Sequence, residues 1–223
     1  MGHAFCVGVS TCFCASVDTL DRTVVIVVAN LKGGVGKTTS AVFLAEAAAE
    51  RTGAALLVDS DPQASAMRWA DAAADEGPGL RSVAVALPTP DLGRRLEGIT
   101  AGYSWVVIDT PPGHLAIVQA ATRAATVMVV PCQPTLMDLD RVRATLDVAR
   151  DCGCPAAVLL TRARANTKAL VAAREALEEA ELPLIEAVVP QREAIAGAYG
   201  GRPAGPALDL YAAVLAELEA ALI

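Results

Sequence analysis

The sequence predicts a doubly wound α/β fold, a mostly parallel sheet with helices on both faces. Three observations carry this. Short apolar runs rich in β-branched residues alternate along the chain with stretches of helical length and pattern. The runs are apolar at successive positions rather than at every second one, as in strands covered on both faces. The first run, TVVIVVA, feeds directly into NLKGGVGKTT and then into an alanine-rich helical pattern, the succession of a strand, a phosphate loop and a helix start.

In order, the first strand covers residues 23–29, and a helix over residues 39–51 presents Val42, Phe43, Ala45 and Ala49 before Thr52-Gly53 ends it. The buried run AALLVD follows as a second strand. The theme then repeats: helix 63–75, strand SVAVAL, helix 91–99, strand SWVVID, helix 114–123 and strand TVMVVP. The second half continues with helix 137–151, strand AAVLLT, helix 167–180, strand LIEAVV and a last helix over residues 207–222. GGRPAGP at 200–206 reads as a surface loop and not as a domain boundary.

At 223 residues and 54% hydrophobic, the chain can bury one sizeable core, and residues 23–223 read as a single domain. Apolar runs are broken by Gly, Pro or charge before the about 18 residues a bilayer span needs, so no membrane anchor is expected. Residues 1–22 lack a basic region ahead of their apolar part and a clear small-residue cleavage site. They read as a leader that is disordered or reflects a start placed too early, with translation beginning nearer Asp18. Cys6, Cys12 and Cys14 lie in it; Cys132, Cys152 and Cys154 complete the six. Both close pairs are spaced CxC rather than CxxC, which favours plain thiols over a metal site.

In the loop, Gly33, Gly34 and Gly36 allow a tight turn that aims backbone N–H groups inward. Lys37 offers a charge to the β- and γ-phosphates, and Thr38 offers a hydroxyl to Mg²⁺. A strict GxxxxGK[ST] pattern asks for glycine where this chain has Leu31. Lys32 is a second lysine in the same loop, in a chain whose one other lysine is Lys168. A nucleoside triphosphate with Mg²⁺ is therefore the expected ligand, held by Lys32, Gly33, Gly34, Val35, Gly36, Lys37, Thr38 and Thr39. Ligands of such sheets sit beyond the carboxyl ends of the strands, where Asp59, Asp61 and Asp109 fall. Asp59 and Asp61 lie two apart, so in extended chain they point the same way. Each aspartate could instead cap the following helix, Asp61 before Pro62 in particular.

KGGVGKTT, followed by LLVDSDPQ at 56–63 and VVIDTPPG at 106–113, resembles the deviant Walker A ATPases of the ParA and MinD superfamily. The motifs come in the family's order and span about half the chain. The resemblance implies that Asp109 is the Walker B carboxylate holding Mg²⁺ through water, and that Asp61 positions the attacking water. It implies that Lys32 reaches across an ATP-dependent homodimer to the partner's nucleotide, making Lys32, Lys37 and Asp61 the catalytic set. It places the adenine pocket at Arg162, after Thr161, and at Pro190, before Gln191-Arg192, though either arginine reads equally as a surface charge.

Absences narrow the subclass. Without CxxC the iron–sulfur carriers and nitrogenase reductase are disfavoured, and with only Tyr211 near the C-terminus so are the tyrosine kinases. Beyond Arg202 the chain has no Lys or Arg but has Asp209, Glu217 and Glu219, unlike the basic membrane helix of the division-site class. DSDPQASAMRWADA, LLTRARANTKAL and VVPQRE look like the short ParA class without an N-terminal helix-turn-helix. That resemblance implies a partition ATPase for plasmid, phage or chromosome. Its ATP dimer would bind DNA non-specifically, and a small centromere-binding adaptor would release it by stimulating hydrolysis. The implied location is cytoplasmic, on the nucleoid when ATP is bound. The net charge of −7 opposes DNA binding overall. Between Arg141 and Arg174, however, six arginines and one lysine face only Asp147 and Asp151, a local balance of +5. Arg162, Arg164, Lys168 and Arg174 are the candidate DNA contacts, unless they are solvated helix faces paired with Glu175, Glu178 or Glu179. Two alternatives stand: an ATPase spacing a protein assembly on the nucleoid, and a small-molecule ATP-dependent enzyme of related fold.

Overall fold

The structure, a computed structural model, describes residues 23–222; the leader, its three cysteines and the start near Asp18 lie outside them. The first half comprises β1 (Val24–Val28), α1 (Lys37–Thr52), β2 (Ala55–Asp59), α2 (Ser65–Glu76), β3 (Val83–Ala86), α3 (Leu92–Glu97) and β4 (Trp105–Asp109). The second comprises α4 (Leu115–Ala124), β5 (Val127–Cys132), α5 (Leu136–Asp151), β6 (Ala156–Leu160), α6 (Lys168–Glu179), α7 (Glu193–Ala196) and α8 (Gly205–Leu222). The six strands form one parallel sheet in the order β3-β2-β4-β1-β5-β6.

Side chains alternate across each strand, and the helices give both faces a core. Leu57 of β2 packs with Phe43, Trp69, Tyr211 and Leu215 under α1, α2 and α8. Its neighbours Leu56 and Val58 face the other way, with Ile108, Val118, Met128 and Leu160 under α4 to α6. Alanines make α1 thin enough to lie deep: Ala41, Ala45 and Ala48 are fully buried, and α8 covers it.

The sheet order brings the site together. β1 lies between β4 and β5, so the loop leaving β1 is flanked by the ends of both neighbours. The register aligns Val28 with Asp109 and Asp109 with Asp59, which puts the last residues of β1, β4 and β2 side by side.

One expected strand is absent. Residues 184–189 make one isolated bridge, Leu184 with Val158, and a few hydrogen bonds with the β6 edge, among them Ile185 N–H to Val158 O at 2.9 Å and Val189 N–H to Leu160 O at 2.9 Å. Between them the chain swings away, because the Glu217 carboxylate on α8 accepts the N–H groups of Glu186 and Ala187, each at 2.8 Å. The ladder loses its donors to a side chain 30 residues on, which the apolar pattern of LIEAVV does not reveal. The loop expected at 200–206 is shorter, since Gly205 and Pro206 already belong to α8, and it is fastened to its surroundings. Trp69 donates to Gly201 O at 2.8 Å, and Arg202 donates to Gly79 O at 2.6 Å and Pro78 O at 2.7 Å.

Candidate nucleotide-binding site

Gly34 and Gly36 take left-handed φ values of 76° and 92°, and a Cβ would find open space at Gly34. Backbone conformation, not crowding, therefore demands glycine, and α1 begins directly after the Gly36 turn. Side chains from neighbouring strands and helices hold the loop. The Gln133 amide donates to Gly34 O at 3.1 Å and the Thr161 hydroxyl to Val35 O at 2.9 Å. Asn30 accepts the Lys32 N–H at 2.8 Å, and the Lys37 ammonium donates to Lys32 O at 2.8 Å. The loop lies beside a cleft of about 270 Å³. Gly33, Gly34, Gly36, Lys37, Thr38 and Thr39 of the loop and the start of α1 line it together with Asp61, Thr110, Pro112 and Arg162. Val35 turns its side chain into the core.

Lys37 is buried, which lowers the pKa of its ammonium against the opposing pull of Asp109 and Asp61. A group so poorly hydrated gains from an anionic ligand. Asp109 is fully buried, and neither carboxylate oxygen has a hydrogen-bond partner. Burial pushes its pKa up to about 7, with the nearby Thr38 side chain pulling the other way. An orphaned hard-oxygen pair beside a hydroxyl fits a hydrated divalent cation such as Mg²⁺.

Asp59 and Asp61, expected to point the same way, do different things because β2 ends at Asp59. The Asp59 carboxylate is buried and accepts the N–H groups of Asp61 at 3.0 Å and Met67 at 2.9 Å. It thus serves the N-terminus of α2, the capping role that was open to Asp61, and burial raises its pKa. Asp61 accepts the Gln63 N–H at 2.8 Å through one oxygen and lines the cleft. Ser60 links the two strand ends, its hydroxyl donating to Asp109 O at 2.6 Å.

Lys32 does not line its own cleft. Its ammonium pairs with Asp138 in the first turn of α5, a carboxylate only 1% exposed that also accepts the Thr135 hydroxyl at 2.7 Å. With the partners 106 residues apart, nothing local in the sequence signals this pair. Asn30 and Thr161 as holders of the loop were missed likewise, although Thr161 stood beside a residue already singled out.

The basic residues separate. Arg162, held at φ 50°, belongs to the nucleotide cleft. Arg164 donates to the Gln191 side chain at 3.0 Å, next to exposed Arg192, and Lys168 opens α6. Arg174 is drawn away into an ion pair with Glu186 rather than with Glu175, Glu178 or Glu179. Pro190 lies half-buried in a bridge with Ala163, outside the residues that line the cleft. Cys132 and Cys154 are buried thiols whose pKa burial pushes up to about 12.

Residues 26–202 match the CobQ/CobB/MinD/ParA nucleotide-binding domain. The chain belongs to this family. Among curated relatives, the maintenance of carboxysome distribution protein A of Gloeobacter kilaueensis is 39% identical over 170 residues, covering 74% of this chain and 76% of the relative. The chromosome-partitioning ATPase Soj of Thermus thermophilus is 32% identical over 154 residues, covering 56% and 62%. Among solved structures, apo McdA from Cyanothece superposes with a TM-score of 0.73 at 18% identity, covering 91% of this chain and all of that one. The six-stranded parallel sheet is thus the P-loop fold of the ParA and MinD proteins.

Proposed function

We propose that this protein is an ATPase that dimerises around ATP, binds DNA non-specifically as a dimer, and spaces a protein assembly on the nucleoid. The observation that carries the proposal is the placement of Lys32. It sits in the phosphate loop, yet its side chain, 41% exposed, leaves its own cleft and pairs with the buried Asp138. A cation there can exchange Asp138 for phosphates presented by a second copy.

Within one subunit, the loop N–H groups and Lys37 would hold the phosphates, and Thr38 and Asp109 would hold Mg²⁺, which neutralises phosphate charge. Asp61, with one oxygen occupied by Gln63 N–H and the other free toward the cleft, would orient the attacking water. A single carboxylate acting alone makes for slow turnover, which leaves room for stimulation by a small adaptor protein. Arg164, Lys168 and neighbouring Arg192 are the DNA contacts this reading favours, since Arg174 is spent on Glu186. No helix among the described residues is long and apolar enough to cross a membrane, and a cytoplasmic, nucleoid-bound location belongs to the same proposal.

The relative named for maintaining carboxysome distribution supports a protein assembly as cargo. A second reading, partition of DNA, draws support from the chromosome-partitioning relative. Sedimentation with duplex DNA tests the common cycle. A DNA-bound dimer is expected with Mg-ATP, and neither dimer nor DNA binding with ADP. Equal DNA binding in the two nucleotide states at low salt would overturn the proposal. Co-localisation of the tagged protein in its native cell, with a protein compartment or with a replicon origin, separates the two cargoes.

A further inference from the structure

We propose that Asn30 is the positioning residue that sets where the Lys32 ammonium can go. The inference rests on the reading that Lys32 serves the nucleotide of a second copy. Asn30 lies two residues beyond the end of β1 and is 1% exposed. Its Nδ2 donates to Pro131 O of β5 at 2.8 Å, and its Oδ1 accepts the Lys32 N–H at 2.8 Å. One planar amide thus ties the residue carrying the outward ammonium to the neighbouring strand of the sheet. Flipping the amide would set donor against donor and acceptor against acceptor, so the two partners admit one orientation.

Other bonds bracket the same peptide. Lys32 O accepts from the Lys37 ammonium, and the preceding N–H, of Leu31, is taken by the Thr145 hydroxyl on α5 at 3.3 Å. The Lys32 backbone is therefore fixed on both sides and only its side chain is free to choose between Asp138 and a partner. The phosphate-facing stretch has separate supports, Gln133 at Gly34 and Thr161 at Val35. Loss of Asn30 should consequently disturb the reach of Lys32 more than the cradle for bound phosphate, which keeps these two supports.

Chemistry explains the residue type. Aspartate would keep the acceptor for Lys32 N–H but place a carboxylate oxygen against the Pro131 carbonyl. Serine can accept an N–H two residues on, as in an ST turn, but is too short to bridge to β5. Asparagine supplies both bonds.

The test uses the full chain with Asn30→Ala, Asn30→Ser, Lys32→Ala and the Asn30→Ala/Lys32→Ala double variant. ADP affinity is read by calorimetry, and dimer dissociation by sedimentation with a slowly hydrolysed ATP analogue. Asn30→Ala should weaken the ATP dimer about tenfold, the scale of two buried hydrogen bonds, and lower ADP affinity by clearly less than that. Asn30→Ser, which keeps one bond, should fall between and covers the case in which alanine is not tolerated. The double variant should dimerise no more weakly than Lys32→Ala. A parallel loss of ADP affinity, additive losses in the double variant, or an unweakened dimer in Asn30→Ala would each overturn the assignment. Wild-type dimerisation by Lys32→Ala would instead overturn the reading beneath it, and is distinguishable because it needs no change at Asn30.

Discussion

Replacing Asp109 with Asn should stabilise the nucleotide-free protein at pH 8 while destroying its response to Mg-ATP. The carboxyl is fully buried without hydrogen-bond partners, and its pKa is pushed from 3.8 to about 7. Because the folded value lies above the unfolded one, its contribution to stability is present below the unfolded pKa and is lost as pH rises through about 7. At roughly 1.4 kcal/mol per pH unit, keeping it charged at pH 8 costs the empty fold on the order of 4 kcal/mol. Asparagine removes the charge but leaves a buried amide without partners, which returns about 1–3 kcal/mol of that gain. The net gain is about 2 kcal/mol, or roughly 4–8 °C in Tm for a chain of this size. It should vanish near pH 5, where the folded protein already carries the proton. Thermal melts of wild type and Asp109→Asn at pH 5 and pH 8, each with and without Mg-ATP, measure this. A variant no more stable than wild type at pH 8 without nucleotide would refute the electrostatic reasoning. A variant still stabilised by Mg-ATP as strongly as wild type would refute the assignment of Asp109 to the cation.

Asp61→Ala should bind ATP close to normally while its hydrolysis falls at least tenfold, read by calorimetry and phosphate release; an unchanged rate moves water positioning to another residue. Lys37→Ala should lose tight ATP binding, because a buried ammonium bonded to the loop carbonyl at Lys32 is removed from the phosphate cradle; wild-type affinity in calorimetry would contradict the site. Arg164→Ala with Lys168→Ala should weaken DNA binding and lower the slope of log K against log salt by about 0.9 for each DNA phosphate no longer neutralised, whereas Arg174→Ala should leave the slope unchanged. Asp138→Asn removes the intramolecular competitor for the Lys32 ammonium and should lower the concentration needed for half-maximal ATP dimerisation, followed by sedimentation.

Local pattern was enough for the strand–loop–helix around Lys37, the alternation of buried runs with helices, and the aspartate at the end of β4. Each depends on neighbours within a few residues: glycines that take positive φ, periodicity, and an apolar run that stops at a carboxylate. What tertiary structure decided involves residues far apart in the chain. LIEAVV has the composition of a strand, yet Glu217 on α8 takes two of its N–H groups and keeps it off the ladder. Asp59 and Asp61 share a spacing but not a role, since β2 ends between them and one carboxylate turns inward to hold Asp61 and α2. Lys32 was legible as unusual, but its partner Asp138 and its anchor at Asn30 and Pro131 depend on β5 lying beside β1. Sequence pattern reports which segments can pair; the order in which parallel strands pair is set by how both helix layers bury their faces, and that order chooses which distant side chains meet.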